Sequence, residues 1–155
     1  MSRQLLLGEL KAINIPTYAE DELKNLLRHR ATITRQLRSA KTHIKSYLLY
    51  KGIKLPAAHD NPNWTKSFIQ WLESIEWCSA TGKLFLGSKL RVYEFIYGEY
   101  LELANQLRSH CRKNYKQDYY LLKSIPGIGG YLASALLAEL GNVSRFNNEW
   151  TNHLF

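Results

Sequence analysis

Two long stretches of heptad spacing constrain the fold of this chain more than any other feature. In the first, apolar side chains recur in alternating steps of three and four, as they do along the seam of a coiled coil. Arg30 interrupts this seam, which otherwise consists of Leu23, Leu26, Ile33, Leu37, Ala40, Ile44 and Tyr47, with Leu27 and Leu48 widening it on one side. A helix of about 32 residues is roughly 48 Å long, so this stretch needs a partner helix of similar length.

The ends of this first helix carry their own signals. Thr17 and Glu20 fit a capping box, in which each side chain accepts a hydrogen bond from the other residue's backbone amide. Gly52 is a natural stop, because glycine readily takes the left-handed conformation that ends many helices. The first helix is therefore predicted to lie between these two points.

The second stretch supplies the partner and is predicted to run from Lys83 to Lys113. Its seam consists of Leu86, Leu90, Tyr93, Tyr97, Tyr100, Ala104, Leu107 and Cys111. Two matched helices joined by a short segment predict an antiparallel coiled-coil hairpin. Further apolar residues lie beside or behind the seam, where one partner helix cannot cover them all: Phe95, Ile96, Leu101 and Leu103. A second copy of the hairpin could cover them, so a homodimer is expected.

A small helix is predicted at the tip of this hairpin. Asn61 is expected to cap it, with Pro62 in its first turn. Its apolar side is formed by Phe68, Trp71, Leu72 and Ile75. Trp64 and Trp77 bracket this helix and are expected to fill the core rather than to bind a ligand.

The distribution of charge points to a polyanionic partner. The chain has a net charge of +8, and the stretch from Leu23 to His59 holds nine Lys or Arg residues without a single Asp or Glu. Five of these cations are predicted to share the side opposite the seam: Lys24, Arg28, Arg35, Arg38 and Lys45. A solvated helix surface usually mixes both signs, so we expect a phosphate backbone along this one. Duplex DNA and structured RNA fit equally well, and the alternative is a merely solvated basic helix.

A tight turn near the end of the chain is the strongest local motif. The sequence from Leu122 to Gly129 reads LKSIPGIG, and Ala133 follows in the next predicted helix. This is the pattern of a helix–hairpin–helix motif, whose turn contacts the sugar–phosphate backbone without reading bases. The predicted contact residues are Lys123, Ile125, Pro126, Gly127, Ile128, Gly129 and Gly130. The alternative is a structural corner between two helices.

The side chains of this turn are expected to have distinct roles. Ile125 and Ile128 are predicted to point inward and hold the two helices together, while Ala133 allows a close approach. Gly127 and Gly129 are expected to let the backbone turn sharply. Gly129 is also expected to have a positive φ, and Lys123 adds positive charge beside the turn.

No catalytic centre emerges from the remaining residues. The acidic residues are scattered without a two-metal arrangement, and Cys78 and Cys111 have no partner at metal-ligand spacing. We therefore expect no catalytic or metal-binding residue and no cofactor in this chain. No apolar run is long enough for a membrane span and no signal peptide is present, so no membrane partner and a cytoplasmic location are expected.

The end of the chain resembles a known family. From Leu121, the sequence LLKSIPGIGGYLASALLAELGNVSRF is similar to the opening of the C-terminal transposase domain of the insertion-sequence family one-ten. Gly8-Glu9-Leu10 and the basic helix resemble, more weakly, the parts that precede this domain in the family. The resemblance implies a bridge-RNA-guided DNA transposase with four acidic metal ligands upstream and a nucleophilic serine downstream. It also implies that the chain is an internal fragment without either catalytic motif, and inactive alone.

Pattern and resemblance together predict an all-α chain. Residues 1–19 are expected to be the tail of the preceding nuclease domain or a linker, 20–116 the coiled-coil hairpin, and 117–155 the start of the transposase domain. The expected function is nucleic-acid binding and dimer scaffolding within a transposase. A protein-interaction coiled coil that binds no nucleic acid is the alternative, and an independent DNA-repair module with the same hairpin is a third hypothesis.

Overall fold

The computed structural model describes residues 15–57 and 64–141, and these ranges are helical without a strand. Their helices are α1 (Tyr18–Tyr50), α2 (Lys66–Ser74), α3 (Ala80–Asn114), α4 (Lys116–Ser124) and α5 (Gly130–Leu140). The prediction of an all-α fold is confirmed. The described residues form two compact units, one from His29 to Gln106 and one from the parts of the chain on either side of it.

The predicted signals at both ends of α1 are present. The Thr17 amide donates to Glu20 Oε2 over 2.7 Å, and the Glu20 amide donates to Thr17 Oγ1 over 3.3 Å. This is the reciprocal capping box. At the other end Gly52 has a φ of +69°, and the Ile53 amide donates to the Leu48 carbonyl over 2.9 Å. Such a bond, reaching back past a left-handed glycine, closes the last turn of the helix.

Within the unit from His29 to Gln106, α1 and α3 run antiparallel. The rings of Tyr47 and Phe85 lie 4.5 Å apart near one end of the pair, and the Arg30 guanidinium lies 4.5 Å from the centre of the Tyr100 ring near the other. Residue numbers therefore fall along α1 as they rise along α3. The antiparallel pairing is as predicted, while regular coiled-coil packing stays a prediction.

The short helix α2 closes the core of this unit. The Thr65 hydroxyl caps it by accepting a hydrogen bond from the Phe68 amide over 3.3 Å. The predicted cap, Asn61, lies outside the described residues. The core consists of Leu37, Ile44 and Leu48 from α1, Phe68 and Leu72 from α2, and Leu86, Leu90 and Tyr93 from α3.

The two tryptophans beside α2 fill the core, as the sequence predicted. The Trp64 ring lies 5.0 Å from Phe68 and 4.6 Å from Tyr93, centre to centre. The Trp77 ring stacks on Tyr47 at 5.4 Å. These aromatic contacts join all three helices of the unit.

The buried side of α1 differs from the predicted seam. Leu27 and Leu48 are buried, whereas Leu26 and Tyr47 are only half-buried. At each of these two places adjacent residues are both apolar, so the heptad spacing alone does not decide which of the two is buried. Other helices decide the choice: Leu48 joins the cluster that contains α2, and Leu27 joins the cluster that contains α4 and α5.

The second unit has a core of its own. It buries Leu23 and Leu27 of α1, Leu107 and Cys111 of α3, Tyr119 of α4, and Ala133, Leu137 and Ala138 of α5. The Cα atoms of α4 and α5 approach within 8 Å of each other. Small side chains on α5 permit this approach, because only short side chains fit between closely packed helices.

The prediction that a second copy covers Phe95, Ile96, Leu101 and Leu103 is wrong for one of these four residues. Leu103 is buried within the chain, beside Ala104, and it needs no second copy to cover it. Phe95 and Leu101 are exposed as expected, and Ile96 is half-buried. The apolar surface left for a partner is therefore smaller than the heptad pattern predicts.

Two neighbouring leucines test the observed packing. Leu48 is completely buried and Leu49 is 79% exposed. We expect Leu48→Ala to lower the free energy of unfolding by about 2–5 kcal/mol, because it leaves a cavity in the core. Leu49→Ala is the matched control and should stay within about 0.5 kcal/mol of the parent chain. Urea denaturation measures both, and equal losses would contradict the packing.

Candidate nucleic-acid interface

The turn between α4 and α5 has a defined backbone geometry. The Ile128 amide donates to the Ile125 carbonyl over 3.0 Å, and Gly127 has a φ of +87°. A type II β-turn has these two properties, with proline favoured at its second position and glycine required at its third. Pro126 and Gly127 occupy those positions, so this dipeptide accounts for the sharp reversal of the chain.

The two glycines that follow have roles the sequence did not predict. The expected positive φ at Gly129 is wrong: its φ is −76° and its ψ is 169°, because it is the N-cap of α5 and N-caps are extended. Gly130 is instead the glycine that packing requires. A Cβ atom there would lie 2.7 Å from the Tyr119 hydroxyl oxygen and 3.5 Å from Arg108 Cδ.

The apolar residues of the turn divide between surface and core. Ile125 was predicted to point inward, but it is 47% exposed as the extended C-cap residue of α4. Ile128 is partly buried and packs against the cluster that contains Leu137, and Ala133 is completely buried. One isoleucine and one alanine therefore hold the helices together, while the other isoleucine faces solvent.

The outer side of the turn is accessible. Lys123, Pro126, Gly127 and Gly129 are exposed. No side chain caps the start of α5 at Gly129. The first turn of any helix carries amides that have no acceptor within the helix, and it is the positive end of the helix dipole. Lys123 adds a charge in the last turn of α4.

The predicted basic residues lie along α1 in both units. In the unit that contains the turn, Arg28 is exposed and Lys24 is half-buried. In the unit from His29 to Gln106, Arg35 and Arg38 are exposed and Lys45 is half-buried. The side chain of Arg35 donates to the Thr32 hydroxyl over 3.1 Å. All five predicted cations thus reach the surface, at least in part.

Two further cations of α1 lie against aromatic rings. Arg30, which interrupts the heptad seam, is buried over Tyr100. Lys41 Nζ lies 5.7 Å from the centre of the Trp64 ring and 5.9 Å from that of Tyr93. Burial, together with the charge of Lys45, lowers the pKa of Lys41 below its usual value. Neither cation is among the predicted site residues, although the tyrosines in the opposite seam are a signal for such contacts.

Two further findings concern the described ranges only. Residues 15–57 and 64–141 contain no group of three or more His, Cys, Asp or Glu side chains that could hold a metal ion. None of the helices described there is long and apolar enough to cross a membrane.

Comparison with known proteins points to a class that moves DNA. Residues 119–150 match the family model described as "Transposase IS116/IS110/IS902 family", and this segment includes the turn and all of α5. The match confirms the resemblance for this segment: residues 119–150 are similar to the IS116/IS110/IS902 transposase family, which supports a role in transposition. No curated protein and no solved structure shows significant similarity to the chain.

The three glycines of the turn should respond differently to alanine. Gly129→Ala should change the free energy of unfolding by less than about 1 kcal/mol, because its φ and open surroundings suit alanine, whereas an N-cap favours glycine over alanine. Gly127→Ala should lower the free energy of unfolding by about 1–2 kcal/mol, because its φ is positive. Gly130→Ala should lower it by about 1–3 kcal/mol through overpacking. Thermal unfolding monitored by circular dichroism ranks the three.

A double substitution isolates the contact at Gly130. Tyr119→Phe removes the hydroxyl that a Cβ atom at Gly130 would meet. In that background Gly130→Ala should cost markedly less stability than in the parent chain. An equal loss in both backgrounds, or a loss at Gly129 as large as at Gly130, would show that the turn is built differently.

Proposed function

We propose that this chain is a nucleic-acid-binding and dimer-scaffold segment of a DNA transposase. It contacts phosphates at two places, the basic surface of α1 and the turn between α4 and α5. Duplex DNA and structured RNA are the partners that such contacts fit, since both present a phosphate backbone. The family match supports a role in transposition, and the two phosphate contacts are our extension of it.

The observation that carries this proposal is the single sign of charge along α1 from Leu23 onward. From Leu23 to the end of this helix the sequence contains Lys and Arg but neither Asp nor Glu, and the predicted cations there are exposed or half-buried. Like charges spaced three or four residues apart destabilise a helix. Arg35 and Arg38 have this spacing. A polyanion would neutralise this repulsion and release its own counterions.

The turn fits the same kind of ligand through a different contact. Its glycines leave the backbone uncovered, because a Cβ atom at Gly127 or Gly129 would meet nothing within 4 Å. Backbone amides at a helix start bind phosphate oxygens without regard to base sequence. The exposed ammonium group of Lys123 lies on the helix that enters the turn. We therefore expect this contact to be independent of sequence.

The exposed apolar residues of α3 favour a second candidate, a protein-interaction segment. Phe95 is 71% exposed, and Val92 and Leu101 are also exposed. Val92 and Ile96 line a groove with Ala40 and His43 of α1. A second copy of this chain would cover these apolar side chains. This role is compatible with nucleic-acid binding and becomes the sole function only if the chain binds no nucleic acid.

Charge substitutions test the two phosphate contacts separately. The pair Arg35→Glu and Arg38→Glu should weaken binding to duplex DNA and reduce the slope of log K against log salt by about two units. Lys123→Ala should reduce this slope by about one unit and weaken binding to all sequences alike. Fluorescence anisotropy at several salt concentrations measures both effects.

A lysine outside both contacts provides the control. Lys66 is exposed on α2, and Lys66→Ala should bind as the parent chain does. If the charge variants stay folded and also bind as the parent chain does, the turn is only a corner and the surface of α1 is only solvated. Failure of the parent chain to bind any nucleic acid at low salt would leave the protein-interaction function alone.

The oligomeric state tests the scaffold part of the proposal. We expect the chain to form a dimer at micromolar concentration, through the exposed apolar residues of α3. Phe95→Glu should yield a monomer, because the dimer would have to bury an unpaired carboxylate. Multi-angle light scattering distinguishes these states. A parent chain that is monomeric at every concentration would rule out this interface.

A further inference from the structure

A groove lies beside the end of α1. It has a volume of about 520 Å³, which falls within the range of ligand sites in proteins, about 300–1,000 Å³. Its apolar lining consists of Leu49, Ile53 and Leu55, and its basic lining consists of Lys45 and Lys54. Leu49 is 79% exposed, so the groove combines an open apolar surface with positive charge.

This groove suits a protein partner better than a nucleic acid. Aliphatic side chains gain free energy when another apolar surface covers them. The lining residues that the structure describes include three such side chains and no aromatic ring on which a base could stack. The stretch from Leu23 to His59 contains neither Asp nor Glu, so the negative charge has to come from the partner. The groove therefore fits a surface that is partly apolar and partly acidic.

The middle of α3 presents such a surface. From Val92 to Leu107 its sequence contains three Glu and no Lys or Arg, although the chain as a whole has a net charge of +8. Phe95 is 71% exposed. Glu99 and Glu102 are also exposed, and they follow Phe95 at steps of four and three, which places the three side chains on one side of the helix. Apolar and acidic groups thus lie side by side there.

Gly98 lies within the same surface and has no packing role inside the chain. It is exposed in the interior of α3, and a Cβ atom there would meet nothing within 4 Å. Glycine in the interior of a helix lowers its stability relative to alanine, and no neighbouring atom of the described residues requires it here. Gly98 lies three residues after Phe95 and four before Glu102. The missing side chain therefore lets another surface come close to α3 at this point.

The groove and the acidic surface lie at opposite ends of the unit from His29 to Gln106. The groove is at the end where Tyr47 contacts Phe85, and the acidic surface is at the end where Arg30 contacts Tyr100. About 20 Å along α3 separates Phe85 from the middle of the acidic surface. The two surfaces therefore cannot meet within one copy of the chain, whereas two copies that run in opposite directions can bring each groove to the α3 of the other.

We propose that the groove at the end of α1 binds the acidic surface of α3 from a second copy of this chain. Phe95 of one copy enters the groove and contacts Leu49, while Glu99 and Glu102 face the two lysines of the groove. An isologous dimer makes this contact twice. This inference rests on the dimer scaffold of the proposed function and names the two surfaces that form it.

The test measures the dissociation constant of the dimer by sedimentation equilibrium on the full 155-residue chain, without nucleic acid. Leu49→Ala removes apolar surface from the groove, and we expect it to raise this constant about tenfold or more while the fold stays intact. Gly98→Gln adds a side chain where the second copy approaches, and its effect should be at least as large. Because glutamine forms helices better than glycine, this variant should also unfold at a higher temperature under dilute, monomeric conditions.

Charge reversals test the pairing of opposite signs. Lys54→Glu and Glu102→Lys should each weaken the dimer several-fold, because each brings like charges together. A chain that carries both substitutions should dimerise more tightly than either single variant, because opposite charges face each other again. Losses that add in this double variant would overturn the pairing.

The controls separate this inference from the proposed function. Leu121 is 68% exposed on α4, and Leu121→Ala should dimerise as the parent chain does. If the parent chain forms a dimer that neither Leu49→Ala nor Gly98→Gln weakens, the groove does not bind α3 and the scaffold stands. If Lys54→Glu weakens binding of duplex DNA but not the dimer, the groove belongs to the phosphate contact and the inference is wrong. A parent chain that is monomeric at every concentration overturns both the inference and the scaffold.

Discussion

The burial of one side of α1 is the interaction on which the rest of the structure depends. Burying a Leu, Ile or Phe side chain contributes about 1.5–3 kcal/mol, and α1 buries such residues in both units. An isolated helix with this many cations would be unstable, because like charges one turn apart repel. Within the unit from His29 to Gln106 the core therefore fixes the helix that carries the exposed Arg35 and Arg38, and a polyanion that binds there meets them already arranged.

Much of this fold follows from patterns that act over short distances along the chain. Heptad spacing predicts α1 and α3 and their pairing, because a long apolar stripe has to be covered by a stripe of equal length. The short segment between them predicts that the two helices run antiparallel. The capping box at Thr17 and the type II turn at Pro126-Gly127 depend only on residues within one turn of each other. Such local features are readable from the sequence without knowledge of the partners.

Most of the predictions that failed concern which of several adjacent residues faces a third helix. The positive φ expected at Gly129 failed for a local reason, because this residue is the extended N-cap of α5. Leu27 and Leu48 are buried because α4, α5 and α2 pack on their side of α1, and heptad spacing contains no information on such packing. Gly130 is constrained by the Tyr119 hydroxyl, a contact between two helices. The exposure of Ile125 likewise depends on how the chain leaves α4, which a list of apolar residues does not reveal.

The candidate site likewise combines a feature that the sequence shows with one that depends on packing. The single sign of charge along α1 from Leu23 onward is visible in the sequence, and it directed the prediction to phosphates. The heptad pattern assigned Tyr97 to the seam, whereas the structure leaves it partly exposed between two tyrosines that carry cations on their rings. A residue at an expected core position can therefore be part of a surface, once its neighbours fill the core without it.

Photo-crosslinking tests the central claim, that α1 and its surroundings contact nucleic acid, most directly. The parent chain would be irradiated with an oligonucleotide that contains 4-thiouridine or 4-thiothymidine, and the crosslinked peptides would be identified by mass spectrometry. We predict crosslinks within residues 24–45 of α1 and within residues 123–130, all lost at high salt. Crosslinks confined to other parts of the chain, or none at low salt, would contradict the account.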